Sequence, residues 1–312
     1  MKNMQPSNRL FSFFIALLFA LCVSLVPQMN KLASVFQLPL LVLFLRYFLA
    51  FFGNLCLQAA GILKCSWKGK KKKPILLLNA AAYALSYGMQ IVGVMYAPSW
   101  LGAVMFATVP IWAEILAFLL LKERAALTQT LLICASVTAL IFMLFMQQNG
   151  NASGITAKGF FILVLSAIFE ACSNTLIRYL RTEYTPAEIS FASCGLALLL
   201  VTFVLAGSFI RTPQTISQIP EILFRPDFIL PVIYLGLFGT LLAGILKAAM
   251  LARMSALKAS AWLNVASALS ILFGVLLLKE TLKAYQIICC MIIAGSVFGI
   301  QASKTAPHKQ AS

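Results

Sequence analysis

Charge is scarce in this chain. Only 10% of its 312 residues are charged, with 8 Asp and Glu against 24 Lys and Arg, and the one histidine is His308. No His-Glu-x-x-His pair, phosphate loop, paired-Cys motif or Gly-x-Ser-x-Gly elbow occurs, so zinc hydrolysis, nucleotide-phosphate chemistry and serine hydrolysis lack their reacting groups. His308 lies beyond the last apolar stretch. A histidine proton relay therefore has no candidate, and a transporter driven by its own ATP hydrolysis is excluded. Of the cysteines, Cys56, Cys134, Cys172, Cys194, Cys289 and Cys290 sit inside apolar stretches without zinc-like spacing. They read as small buried residues, not as a metal site or a disulfide framework.

What fills the chain instead is hydrocarbon. Hydrophobic residues make up 62% and the mean hydropathy is +0.95, too apolar for a chain of this length to hide in one water-soluble core. Apolar windows long enough to cross roughly 30 Å of lipid fall near 10–30, 39–62, 75–96, 99–121, 125–146, 159–180, 187–210, 228–252, 257–278 and 284–302. Each is predicted to be a helix, because backbone polar groups in lipid must be satisfied within the segment and no barrel-like alternation is present. The first window follows Lys2 and Arg9 like a secretory signal, but no small-x-small cleavage site ends it, and it is read as a spanning helix.

The net charge of +16 is a topology signal and not a nucleic-acid face, because the basic residues lie between apolar windows. With the N-terminus inside, the inside set is Lys2, Arg9, Lys64, Lys68, Lys70 to Lys73, Lys122, Arg124, Arg178, Arg181, Arg253, Lys258, Lys304 and Lys309. The outside set is only Lys31, Lys158, Arg211, Arg225, Lys279 and Lys283, which predicts cytoplasmic termini and a multi-pass protein of the cell (inner) membrane.

An internal repeat organises the windows. Leu119-Leu120-Leu121-Lys122-Glu123 recurs as Leu276-Leu277-Leu278-Lys279-Glu280, and Lys31 with Pro39 matches Arg178 with Pro186. The two offsets differ, and the linker from Arg211 to Asp227, longer than that from Lys64 to Lys73, takes up most of the difference. The expected fold is all-α, a polytopic membrane protein of ten transmembrane helices in two five-helix repeats. Five is odd, so the second repeat enters the membrane inverted, the arrangement of secondary carriers that expose a midplane site alternately to either side. The boundaries are a cytoplasmic N-terminus 1–9, a first repeat 10–146, an extracytoplasmic linker 147–158, a second repeat 159–302 and a cytoplasmic tail 303–312.

Polar residues inside such helices need a partner or a wet cavity, since an ionisable group at mid-span costs roughly 2.5–3.5 kcal/mol on insertion scales. Glu170 lies near the centre of the sixth window, on one face with Ser166, Ser173 and Asn174. It is either a solute-binding acid or a structural one paired with Arg46 or Lys247. Glu114 in the fourth window shares a face with Pro110, and the repeat offset carries that stripe onto Ser260, Asn264 and Ser267 in the ninth. These stripes either line a shared cavity or merely permit close packing. Asn79, Tyr83, Ser86, Tyr87 and Gln90 stack along the third window, and Thr240, Gly244 and Lys247 along the eighth; Lys247 and Arg46 are each near enough to a span end to snorkel. Trp112 and Trp262 fit either an interfacial belt or a cation-stacking wall.

The chain resembles the drug/metabolite transporter superfamily, in its ten-helix branch with two EamA-type repeats. The resemblance rests on the two repeat ends, on Leu45-Arg46-Tyr47-Phe48 and on Pro110, and spans Leu10 to Gln301; Ser267 stands where the first repeat has Pro110. It implies a central cavity lined by both halves, no bound cofactor, no enzymatic activity, and a small-molecule metabolite and membrane lipids as partners. It leaves the oligomeric state open. The candidate substrate-binding residues are Glu170, Glu114, Asn174, Tyr83, Tyr87, Gln90, Lys247, Trp262, Asn264 and Ser267. Two acids favour a cationic group, and Lys247 or Arg46 offers a receptor for a carboxylate, so an amino-acid-like or zwitterionic solute is expected. S-adenosylmethionine in exchange for S-adenosylhomocysteine is the specific candidate that the resemblance adds. The alternatives are an integral membrane enzyme acting on lipid and an exporter of drugs or toxic metabolites.

Overall fold

The structure, a computed structural model, describes residues 6–36, 38–63, 65–66, 69–96, 105, 108–121, 126–147, 157–211, 214–278 and 284–302. Every regular element among them is helical. The first span is α1 (Pro6–Ser24) followed by α2 (Val26–Ser34); Pro27, which has no N–H to donate, sits in the first turn of α2 and accounts for the break at Leu25. Then come α3 (Pro39–Ala59), α4 (Lys73–Met95), α5 (Val109–Leu121) and α6 (Leu127–Gln147). The second half holds α7 (Ala157–Leu180), α8 (Pro186–Arg211), the short α9 (Gln214–Leu223), an eighth span, α12 (Ala256–Leu278) and α13 (Ala284–Ala302). That eighth span runs through α10 (Pro226–Ile233), a nine-residue π-helical segment (Tyr234–Leu242) and α11 (Ala243–Arg253). The repeat-end pairs Lys122-Glu123 and Lys279-Glu280, the linker core 148–156 and both extreme termini lie outside the described residues.

Proline and glycine set the ends. Pro39, Pro74 and Pro226 fall in first helical turns, where their fixed φ costs no hydrogen bond. The second window was expected to run to residue 62; α3 stops at Ala59 because Gly61 turns left-handed at φ 73° and the amides of Ile62 and Leu63 fold back onto the carbonyl of Leu57.

The solvent for this fold is lipid. Large apolar side chains such as Phe11, Phe14, Leu77, Leu119, Phe161, Phe203 and Met291 face outward, while Asn54, Asn79, Ser86, Ser136, Ser166, Glu170, Ser173 and Asn264 are buried. Five described helical stretches are long and apolar enough to cross a bilayer, Leu10–Asn30, Pro39–Ala59, Ala157–Leu180, Pro186–Ser208 and Pro226–Arg253, and α5, α6 and α13 contain shorter apolar stretches. The chain is an all-α polytopic membrane protein.

The packing repeats across the two halves. α4 lies on α7, and its counterpart, the eighth span, lies on α1; α5 lies on α7, and α12 on α1; α4 lies on α8, and the π segment on α3. The pairs α3 with α8, α5 with α12 and α6 with α13 each join a helix to its own counterpart. Exchanging the halves therefore maps these contacts onto one another.

Loops sort into two ends. At one, the turn between α7 and α8 holds the lysine-rich loop: Glu188 accepts from the Ser66 amide at 2.7 Å and from Lys70, Glu183 accepts from the Lys71 amide, and Lys72 donates to Thr182 at 3.0 Å. Lys70 also lies over the Tyr184 ring and Lys72 over Tyr179. Arg178 and Arg181 donate to the Leu251 and Ala252 carbonyls, and Arg253 covers Phe11 at the same end. At the other end Lys158 lies over Tyr96 and Arg225 over Phe36.

Candidate functional site

One face of α7 ties the bundle together. Ser166 and Ser86 of α4 each donate to the other's carbonyl, at 2.8 and 3.0 Å. Ser173 donates to Asn79 Oδ1 at 3.0 Å, and the Asn79 amide donates to Ser193 of α8 at 3.2 Å. Asn174 donates to Ser260 of α12 at 3.2 Å. Glu170 sits between these, 2% exposed, and its Oε1 accepts from Lys247 Nζ of α11 at 2.5 Å. The helical spacing read from the sequence thus becomes a polar column that reaches four other helices.

Around the ion pair stands an aromatic wall. Lys247 Nζ lies 5.7 Å from the Tyr83 ring centre, Tyr83 lies 4.9 Å from Tyr87 and 6.2 Å from Tyr47, and Arg46 of α3 covers Tyr87 at 5.8 Å. Arg46 is buried and is gripped by the π segment: its Nε donates to Thr240 Oγ1 at 2.5 Å and its Nη2 to the Gly239 carbonyl at 3.2 Å. The Thr240 hydroxyl in turn donates to the Leu235 carbonyl at 2.8 Å, five residues back within the π segment.

Beside the pair, between α1, α7, α11 and α12, is a cavity of about 10 Å³, room for about one water. Phe19, Asn174, Lys247, Met250, Ser260 and Leu263 line it. Two buried polar atoms of this group have no protein partner: Asn174 Oδ1, on a lining residue, and Glu170 Oε2, on the carboxylate paired with the lining Lys247. Groups of this kind are costly in a dry interior. They are affordable where a solute or water completes them.

Of the candidate residues, the structure gathers Glu170, Lys247, Asn174, Tyr83 and Tyr87. Gln90 is half-buried one turn beyond Tyr87 on α4. Glu114, Asn264, Ser267 and Trp262 have other partners: Glu114 accepts from Thr130 of α6 at 2.7 Å, and Asn264 donates to Ser136 of α6 at 3.0 Å. Ser267 bonds its own helix at the Leu263 carbonyl, and the Trp262 ring meets Phe13 edge-on at 5.4 Å. α5 and α12 do pack together, but these bonds join Glu114 and Asn264 to α6. Residues that sequence reasoning passed over include Gln28, buried and donating to the carbonyl and hydroxyl of Ser270. Glu188 is another; its signal was the Thr185-x-x-Glu188 capping box, realised with Thr185 N donating to Glu188 Oε2 at 2.9 Å and Glu188 N to Thr185 Oγ1 at 3.4 Å. Among the described residues no cluster of His, Cys, Asp and Glu has the makings of a metal site, and all eight cysteines are free.

Comparison with known proteins places this architecture. Residues 157–301 match the EamA-like transporter family. The uncharacterized transporter YcxC of Bacillus subtilis is 26% identical over 306 residues, 95% of this chain and 96% of its own. Protein PagO of Salmonella typhimurium is 27% identical over 161 residues, 50% of this chain and 49% of its own. A solved crystal structure superposes with a TM-score of 0.70 at 15% identity, over 92% of this chain and 95% of its own, a likeness of fold. The second half of the chain is thus similar to the EamA-like transporters, and the whole chain to a protein named as a transporter, which supports a membrane transporter and not an enzyme.

Proposed function

We propose that the chain is a secondary carrier that moves a small zwitterionic, amino-acid-like metabolite across the cytoplasmic membrane by alternating access. The lysine-rich end and both termini face the cytoplasm. The candidate solute is S-adenosylmethionine, exchanged for S-adenosylhomocysteine. The observation that carries this reading is the Glu170–Lys247 pair, buried in a lipid-immersed bundle, walled by tyrosines and left with an unpartnered carboxylate oxygen beside a cavity. A pair held only for stability is poorly motivated, since well-packed apolar residues do as well or better. A pair that a solute with both charges can bridge has a use. The water-sized cavity fits an arrangement that widens when the helices around the pair rock apart. Uptake or efflux of radiolabelled S-adenosylmethionine and of the amino acids by reconstituted vesicles tests the reading. Glu170→Gln is expected to abolish flux while the protein, though less stable, still inserts in the membrane. Unchanged flux in that variant removes the site from consideration.

A further inference from the structure

We infer that Arg46 is the anion receptor of the carrier site and that it takes the solute's carboxylate, whereas Lys247 does not. This inference rests on the carrier reading above. Both cations were open to that role in the sequence, and the geometry separates them. Lys247 is committed: its ammonium meets Glu170 Oε1 at 2.5 Å, and drawing it away leaves a carboxylate that is 2% exposed without a counter-charge. Arg46 has no carboxylate partner among the described residues. Of its five N–H groups, one donates to Thr240 and one to the Gly239 carbonyl, both neutral acceptors, and Tyr87 covers a face of the guanidinium.

Charge bookkeeping points the same way. Arg46, Lys247 and Glu170 together leave one positive charge inside a lipid-immersed bundle. A solute carboxylate neutralises it, and the guanidinium fork suits a carboxylate better than an ammonium does, because two parallel N–H groups meet its two oxygens.

The surroundings hold the fork still. Thr240 is itself pinned to the Leu235 carbonyl, and the π segment lies so close to α3 that a Cβ on Gly236 would fall 2.6 Å from Leu49 Cβ and 3.3 Å from the Arg46 carbonyl. The receptor is thus built before the solute arrives, which lowers the ordering cost of binding.

Matched pairs differing only in the carboxylate provide the test: the amino acids and their carboxamides, and S-adenosylmethionine and its decarboxylated form. The readout is the shift in melting temperature of the purified full-length protein. At least one carboxylate is expected to stabilise the wild type well beyond its partner, and Arg46→Gln to weaken that preference by roughly 10- to 100-fold in apparent affinity. Arg46→Lys keeps the charge but loses the fork and retains a reduced preference. Thr240→Val removes only the brace and is expected to weaken the preference, but by less than Arg46→Gln does, which guards against a folding effect at Arg46. The inference is overturned if no carboxylate outperforms its partner in the wild type, if Arg46→Gln keeps the preference, or if Thr240→Val loses it along with Arg46→Gln. Vesicles that transport a solute lacking a carboxylate overturn it too and leave the carrier reading standing. Arg46-dependent binding with no flux through any vesicle overturns the carrier reading alone.

Discussion

Removing one partner of the Glu170–Lys247 pair and then both separates an ion pair held in a dry site from one that water shares. Glu170 is 2% exposed and the Lys247 side chain 10%, so neither stranded charge reaches solvent without rearrangement. Lys247→Met is therefore expected to cost about 3–5 kcal/mol of stability, the penalty of an uncompensated buried ion, and Glu170→Leu a similar amount. Glu170→Leu with Lys247→Met strands nothing, and is expected to lie within about 1–2 kcal/mol of the wild type or to exceed it. The coupling energy is then several kcal/mol, well above the roughly 0.3–0.5 kcal/mol within which independent sites add. Equilibrium unfolding in mixed micelles, with all four proteins at one detergent fraction, measures the cycle. The double variant recovers the fold but not transport. If each single variant loses less than about 0.5 kcal/mol, the pair is solvated and the physical basis of the site is wrong.

Further outcomes follow from other contacts. Asn79→Ala deletes bonds to Ser173 and Ser193 at a fully buried position, and is expected to cost about 1–3 kcal/mol in the same unfolding assay. Gly236→Ala drives a methyl to 2.6 Å from Leu49 Cβ, at a cost of about 1–3 kcal/mol, and Leu49→Ala in the same chain, which keeps that Cβ, does not restore the wild-type stability. Cys65, half-buried beside the lysine-rich loop, has its thiol pKa raised by burial and then by Glu188, with Lys70 opposing. Since the thiolate is the reactive form, alkylation of Cys65 is expected to be slow near neutral pH and still climbing at about pH 9. Glu188→Gln removes a raising charge and speeds labelling at fixed pH, as peptide-level mass spectrometry reads; a slower rate in that variant contradicts the assigned electrostatics.

The spans were legible because crossing lipid demands an apolar length that composition cannot hide. The polar column was legible because Ser166, Glu170, Ser173 and Asn174 share a helical face whatever the neighbouring helices do. Partner choice was not. Glu170 had two cations to choose from, and only the packing of α7 on the eighth span gives it Lys247 and leaves Arg46 to the π turn. Nor did the repeat offset decide where Glu114 and Asn264 point, because a helix rotation of one residue exchanges neighbours; both meet α6. The π register itself has no propensity signature. Its nearest sequence cues are Pro231, one turn before, and the Thr240 hydroxyl able to reach back five residues.

The reciprocal serine bonds between α4 and α7 have a mechanical consequence. Each hydroxyl is sewn to the opposite backbone, and where the helices cross again Gly93 lets Leu163 approach to 2.6 Å of the place a Cβ would occupy. One of these helices precedes the linker and the other follows it, yet such a seam does not slide. Whatever swings in the proposed cycle carries them as a single strut, so the hinge of that movement does not fall at the linker.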